Sequence, residues 1–434
     1  MGPLLWRLST LLSGVGLLVV GVGLLFSVLG LRAGLAEFSS LTLGLVTSAY
    51  FVGFVVGTFF CPAVIRRVGH IRAFAAMASL ASTMPILHAL WVDPWFWGLL
   101  RLVTGVCMVG LYIVVESWLN ALAPNEHRGR LFAVYMAVNF VALALGQWLI
   151  LVGDRLGFVP FAMVSVMFSF ALLPITMTPV DEPEPVDAPR LSLRNLYEAS
   201  PMGMAAALAS GLITGAFYGL AAAFAQGVGL ADGSVATFMA AAILGGALFQ
   251  WPVGHYSDSH DRRLVLFWVC LLGAGVAGLG YALAQFSGDA LVPLALVFGG
   301  LIFAVYGLAV AHVNDVIDST RLVEFTGGLL LIHGIGAALG PTLAGVVMDV
   351  AGSSSLMLYF AAVLGALALY TLKRLPAASA VPTEDKASFV LMGGGSQAVL
   401  QMDPRSLADA PAAADARPAD DGTEAAHDRR DSGG

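Results

Sequence analysis

The sequence predicts an all-α membrane protein in which twelve transmembrane helices form two pseudo-symmetric six-helix bundles. Three observations carry that expectation. Of the 434 residues, 58% are hydrophobic and only 11% charged, whereas a soluble globular chain is nearer half apolar and a quarter charged. Apolar runs of about 20 residues, the length that crosses a bilayer, recur twelve times between charges and Gly/Pro breaks. The second half of the chain also matches the first at a fixed offset. With three cysteines and no Gly triplet repeat, a disulfide-stapled module and a collagen are excluded. The solvent for most of this surface is lipid.

Taken in order, the apolar runs cover 10–32, 40–61, 73–92, 95–119, 131–152, 158–178, 203–226, 235–255, 264–285, 291–312, 325–347 and 355–373. The first is too long for a secretory signal and is followed by further spans, so it is read as span one. Basic residues in short loops set orientation. Arg66, Arg67, Arg72, Arg128, Arg130, Arg262, Arg263, Lys373 and Arg374 gather on the N-terminal side, against Arg32 and Arg155 on the other. Both termini are therefore expected in the cytoplasm.

The expected domain division is a first bundle over 8–178, a cytoplasmic linker over 179–200, a second bundle over 201–374 and a disordered cytoplasmic tail over 375–434. The linker is Pro-rich and acidic from Pro179. Beyond Pro376 the tail turns to Ala, Asp, Pro and Gly, and from Asp403 it buries too little apolar surface to fold; Phe389-Val-Leu-Met and Gln397-Ala-Val-Leu could pair as a small hairpin. The net charge of −7, drawn mostly from the tail, offers no basic face for nucleic acid. Cys61, Cys107 and Cys270 fall inside apolar runs without ligand spacing, so they read as core residues and no metal or cofactor is expected.

At an offset of 194, Gly105 superposes on Gly299, Tyr112 on Tyr306, Asn120 on Asn314 and Gly146 on Gly340. At 195, Asp154-x-x-Gly157 matches Asp349-x-x-Gly352. Each identity is weak alone, but all fall in register at matching topological positions. They argue for duplication, giving two bundles related by an axis along the membrane normal.

Between spans eight and nine stands Gly254-His-Tyr-Ser257-Asp258-Ser-His-Asp-Arg262-Arg263. An Asp near helix N-terminal amides beside paired guanidiniums can bond between bundles and stabilise a gate. This loop resembles the G-x-L-[AS]-D-R-x-G-R-R loop of the major facilitator superfamily. The equivalent stretch after span two keeps Arg67 and Gly69 but has Arg66 at the Asp position and Pro62 at the leading Gly. Arg101-Leu-Val-Thr-Gly105 is similar to the R-x-x-x-G pattern of span four, while the Gly-Pro motif typical of drug antiporters in span five is missing. Glu116-Ser-Trp-Leu-Asn120, Arg128-Gly-Arg130, Tyr135 and Gly146-Gln147 resemble the YcaD-like bacterial subgroup. The resemblance implies the major facilitator fold and a permease of the bacterial inner membrane, working as a monomer on a small-molecule solute.

An ionisable group within a span is costly and marks function by default. Arg101 lies about 10 Å into its helix. It either holds an anionic substrate or tunes a carboxylate, or else bonds carbonyls of a broken helix. Glu116, about 22 Å further along, either pairs with Arg66, Arg67 or Arg130 at an inner gate or carries a coupling proton. His333 occupies the repeat position of Asn139; both could face a central cavity, His333 as a proton carrier or as a packing residue. Tyr50, Tyr112, Gln147, Tyr218, Gln226, Gln250 and Tyr306 are further cavity candidates. Asp258, Arg262 and Arg263 join Arg66 and Arg67 as gating candidates.

No G-x-x-x-x-G-K-[ST] loop is present, so ATP is not expected to drive the protein. No H-E-x-x-H, G-x-S-x-G or metal-ligand cluster points to an enzyme. The sequence thus reads as a secondary transporter working by alternating access, with proton coupling an open feature. The competing reading is a non-transporting multispan sensor that signals through its tail.

Overall fold

The computed structural model describes residues 2–122, 128–154, 157–177, 183, 193–286, 288–317, 321–377, 382, 386 and 389. Twelve helices among them are long and apolar enough to cross a membrane, and the described residues contain no strand. The first bundle comprises α1 (Gly2–Leu35), α2 (Ser40–Val68), α3 (His70–Leu90), α4 (Pro94–Leu122), α5 (Arg128–Trp148) and α6 (Val159–Met177). A short α7 (Leu193–Ala199) follows. The second bundle comprises α8 (Pro201–Gly227), α9 (Asp232–Ser259), α10 (Arg262–Ala284), α11 (Leu291–Val316), α12 (Leu322–Ala351) and α13 (Ser355–Arg374). An even number of crossings puts the start of α1 and the end of α13 at one face, here the terminal face; the other is the far face.

Local chemistry starts the helices where polar side chains can accept from orphan N–H groups. Ser39 accepts from the Thr42 N–H at 3.1 Å, Asp93 from Phe96 at 2.8 Å and Asp261 from Arg263 at 3.0 Å. Several helices run beyond their apolar stretches: α2 extends to Val68 and α9 to Ser259. Hydrogen bonding within the helix continues where the chain leaves the hydrocarbon, so hydropathy alone underestimates helix length.

The duplication is visible in packing. A Cβ on Gly105 would collide with the Tyr50 carbonyl oxygen, and one on Gly299 with that of Ala242. The repeat-related pairs α2–α4 and α9–α11 thus press backbone against backbone at glycines of the same register. Close approach of this kind supplies the dispersion that holds helices together in lipid.

Two expectations change in detail. The linker 179–200 contains α7, whose Leu196 is buried and packs at Gly328 of α12; most of the rest of that stretch lies outside the described residues. The tail expected to be disordered from 375 opens with a 3₁₀ turn at Leu375–Ala377 and returns to the second bundle. There the Phe389 ring fills a slot against Gly254 and Gly307, its N–H donates to Asp258 at 2.9 Å, and Lys386 donates to the His260 carbonyl at 2.5 Å. The missing Cβ atoms of two glycines make room for an aromatic ring, which compensates for the low apolar content around it. The hairpin expected after Phe389 lies outside the described residues.

Candidate functional site

Between the bundles lies a cavity of about 180 Å³. The first bundle contributes Phe26, Tyr50, Phe54, Tyr112, Asn139 and Phe140, and the second contributes Ser210, Thr214, Tyr218, Phe303, Tyr306 and His333. The repeat-related pairs Tyr112/Tyr306 and Asn139/His333 face this space from opposite bundles. Aromatic rings bridge the two walls: Tyr218 stacks on Phe26 at 5.5 Å, and Phe140 meets Phe303 edge-on at 6.3 Å. Such pairs add about 0.5–1.5 kcal/mol each beyond their buried area.

Toward the far face the two bundles meet. A Cβ on Gly44 of α2 would collide with the Pro341 carbonyl of α12, and one on Gly345 would meet the Ser40 carbonyl at 2.5 Å. The Ser48 and Thr342 hydroxyls bond at 2.8 Å. Asp349 accepts from the N–H groups of Ser40 at 2.7 Å and Leu41 at 3.1 Å, capping α2 from the opposite bundle. Across the other seam, the Trp148 indole of α5 donates to Thr237 of α9 at 3.3 Å. Toward the terminal face the lining continues through Val55, Thr58, Leu330 and Leu331.

Arg101 is not part of the lining. Its guanidinium sits 4.7 Å from the Phe26 ring centroid and 4.3 Å from that of Tyr50, and only 2% of the residue is exposed. It lies behind the cavity wall, roofed by two rings of that wall. A desolvated cation on a ring face gains about 2 kcal/mol, so the rings offer Arg101 a resting place. Depth along a helix was readable from the sequence; the side of the helix that meets α1 and α2 was not.

The three glutamines likewise lie outside the lining. Gln147 accepts from Ser27 and donates to the carbonyls of Gly23 and Leu143 at 3.1 Å, tying α5 to α1. Gln250 donates to the Phe303 carbonyl at 3.4 Å, tying α9 to α11. Gln226 stands against Gly34 of α1 near the far face. An amide in hydrocarbon gains most by meeting a neighbouring backbone, so these side chains face their partners and not the cavity.

Glu116 is fully buried and accepts from the Tyr135 hydroxyl at 2.7 Å. Arg66, Arg67 and Arg130 are exposed. The loop after α9 is built around Arg262, which bonds Asp315 at 2.6 Å, Asp258 at 3.0 Å and Ser257 at 2.9 Å. These bonds join α9, α10 and α11 within the second bundle; the crossing to the first bundle expected of this loop is not among them. Arg263 pairs with Asp261 at 2.8 Å. Burial would raise the Asp261 carboxyl, but hydrogen bonds from Arg263, its charge and that of Lys386 hold it below the usual carboxylate value.

Sequence reasoning missed Phe26, Ser210, Thr214, Phe303 and Asp349. The aromatic and hydroxyl residues stand out little in an apolar helix. Asp349 did carry a signal, the repeated Asp-x-x-Gly, but its partner lies 309 positions away.

A family model described as Major Facilitator Superfamily matches residues 8–320 and 202–414. Named relatives include the uncharacterized MFS-type transporter YcaD of Salmonella arizonae, 29% identical over 360 residues, which are 81% of this chain and 92% of the relative. The protein of the same name from Salmonella newport is 28% identical over the same shares. Among solved structures, a mutant of the nucleoside transporter NupG superposes with a TM-score of 0.72 at 14% identity, over 85% of this chain and all of that one. A bacterial homologue of the human lysosomal transporter Spinster, inward-facing and occupied, gives 0.69 at 15% identity over 88% and 98%. These likenesses show the fold.

Proposed function

Because this chain belongs to the Major Facilitator Superfamily, whose members are secondary transporters, we propose that it carries a small solute across the bacterial inner membrane by rocking its two bundles around the central cavity. The terminal face is the cytoplasmic one, on the strength of the basic residues gathered there. The chain stands in an inward-facing arrangement and works as a monomer, since one copy encloses its own cavity. It performs no bond-making chemistry. Glu116, buried beside Tyr135, is the group through which a proton would couple; a proton-coupled relative of this fold is the fucose:proton symporter FucP of E. coli, with a TM-score of 0.52. The sensor reading gains no support from these relatives.

The observation that carries the proposal is a cavity between two bundles that meet toward the far face through close backbone contacts at Gly44 and Gly345 and hydrogen bonds at Ser48 and Asp349. Spin labels at Glu37 and Ala351 across the far face, and at Arg67 and Arg321 across the terminal face, test it without any ligand. The expected result is two distance populations at each face, exchanging in opposite senses when conditions change. One invariant distance at both faces would overturn alternating access.

A further inference from the structure

We infer that the cavity takes an uncharged amphipathic molecule, an apolar ring system with one hydrogen-bonding head, and that Ser210, Tyr306 and His333 of the second bundle hold the head. The inference rests on the reading of this cavity as the transport site and names its class of solute.

Polar atoms left over on one wall are the first support. Ser210 Oγ, Tyr306 Oη and His333 Nδ1 are buried with no hydrogen-bond partner among the described residues. The Ala207 backbone comes near the His333 ring, but no bond of good geometry reaches Nδ1. Ser210 is fully buried and Tyr306 is 6% exposed. All three residues line the cavity. The Tyr306 and His333 rings lie 4.6 Å apart, and the other His333 nitrogen is 3.5 Å from the Thr214 hydroxyl. Unsatisfied buried polar atoms are costly, and most have a reason. Hydroxyls and a neutral imidazole can each donate or accept, so a hydroxyl, amide or carbonyl head satisfies them once these side chains turn toward the cavity.

The second support is where the charges are. Among the described residues, no Asp, Glu, Lys or Arg lines the cavity. Arg101 is roofed by Phe26 and Tyr50, and Glu116 is held by Tyr135. An ionic solute would lose its water without gaining a counter-charge in contact, a cost that neutral donors do not offset. An anion could reach Arg101 only by displacing both rings. Meanwhile Phe54 and Phe140 offer the opposite wall to an apolar ring.

The test uses four probes on one scaffold: naphthalene, 2-naphthol, 2-naphthoate and 2-naphthylmethylammonium. Binding is measured on the full-length protein in lipid nanodiscs against protein-free discs, for the wild type and a Ser210→Ala, Tyr306→Phe double variant that removes two hydroxyls and keeps the shape. In the wild type 2-naphthol should bind about tenfold tighter than naphthalene, falling to about twofold in the double variant. Both ions should bind at least about tenfold more weakly than 2-naphthol. The proposal fails if either ion equals 2-naphthol, if the naphthol preference survives the double variant, or if no probe binds above the empty discs. Binding of 2-naphthoate that Arg101→Met abolishes would move the site to the guanidinium. The spin-label experiment needs no ligand, so motion without the expected binding overturns the solute class alone, and absence of motion overturns the carrier reading.

Discussion

The seam between α2 and α12 and the seam between α5 and α9 are counterparts under the internal duplication, yet they are closed by different means. At the first, backbones meet at Gly44 and Gly345, and Asp349 caps a helix belonging to the other bundle. At the second, one cross-bundle bond runs between side-chain tips, Trp148 to Thr237, and the Ala231 N-cap of α9 supplies no side-chain cap bond of its own. Duplication supplied one frame; the side chains since placed on it made a tight seam and a loose one. A carboxylate at a helix N-terminus contributes about 0.5–2 kcal/mol, up to about a thirtyfold bias in population. That suits a gate, which must hold in one state and still let go.

The largest effect is expected at the tight seam. Gly44→Val places a Cβ into the Pro341 carbonyl, and overpacking of that order costs about 3 kcal/mol. The Glu37–Ala351 distance distribution should shift almost wholly to its longer population. A distribution like that of the wild type would show that the seam yields more readily than its glycines imply.

Asp349→Ala, which removes a carboxylate that caps two N–H groups, should shift the same distribution by about two- to thirtyfold in population. Trp148→Phe at the loose seam should stay within about twofold, as loss of one partly exposed hydrogen bond predicts. Equal shifts from the two substitutions would erase the distinction between the seams.

The smallest effect lies away from both seams, at the cap of α10. The carboxyl of Asp261 is held below its ordinary value, so its contribution to stability is present above the unfolded value of about 3.9 and fades as pH falls toward the lower folded value. Thermal unfolding of the wild type should therefore lose a little stability on acidification below about pH 4. Asp261→Asn should flatten that part of the profile, and an unchanged profile would show that the pair with Arg263 contributes nothing.

How much of this was legible beforehand follows from what a linear pattern encodes. The twelve spans were readable because hydrocarbon thickness fixes their length. Tyr112, Tyr306, Asn139 and His333 were readable as facing residues because the repeat doubles each signal. Arg101 was legible in depth but not in azimuth, since its roof comes from α1 and α2, whose Phe26 and Tyr50 look like ordinary membrane aromatics. Gln147, Gln226 and Gln250 misled for a related reason: polarity within a span points equally to a cavity and to a neighbouring helix backbone. The cavity-lining residues Ser210 and Thr214 stayed hidden because Ser and Thr can bond their own helix, as Thr214 does to the Ser210 carbonyl at 2.9 Å.

The docking of Phe389 bears on how the protein is handled. A purification tag or fluorescent reporter joined directly after Arg374 would remove Lys386 and Phe389, baring the glycine-walled slot and the carboxylate of Asp258 at the surface of α9. Fusions that are meant to leave the second bundle as it is belong beyond residue 389.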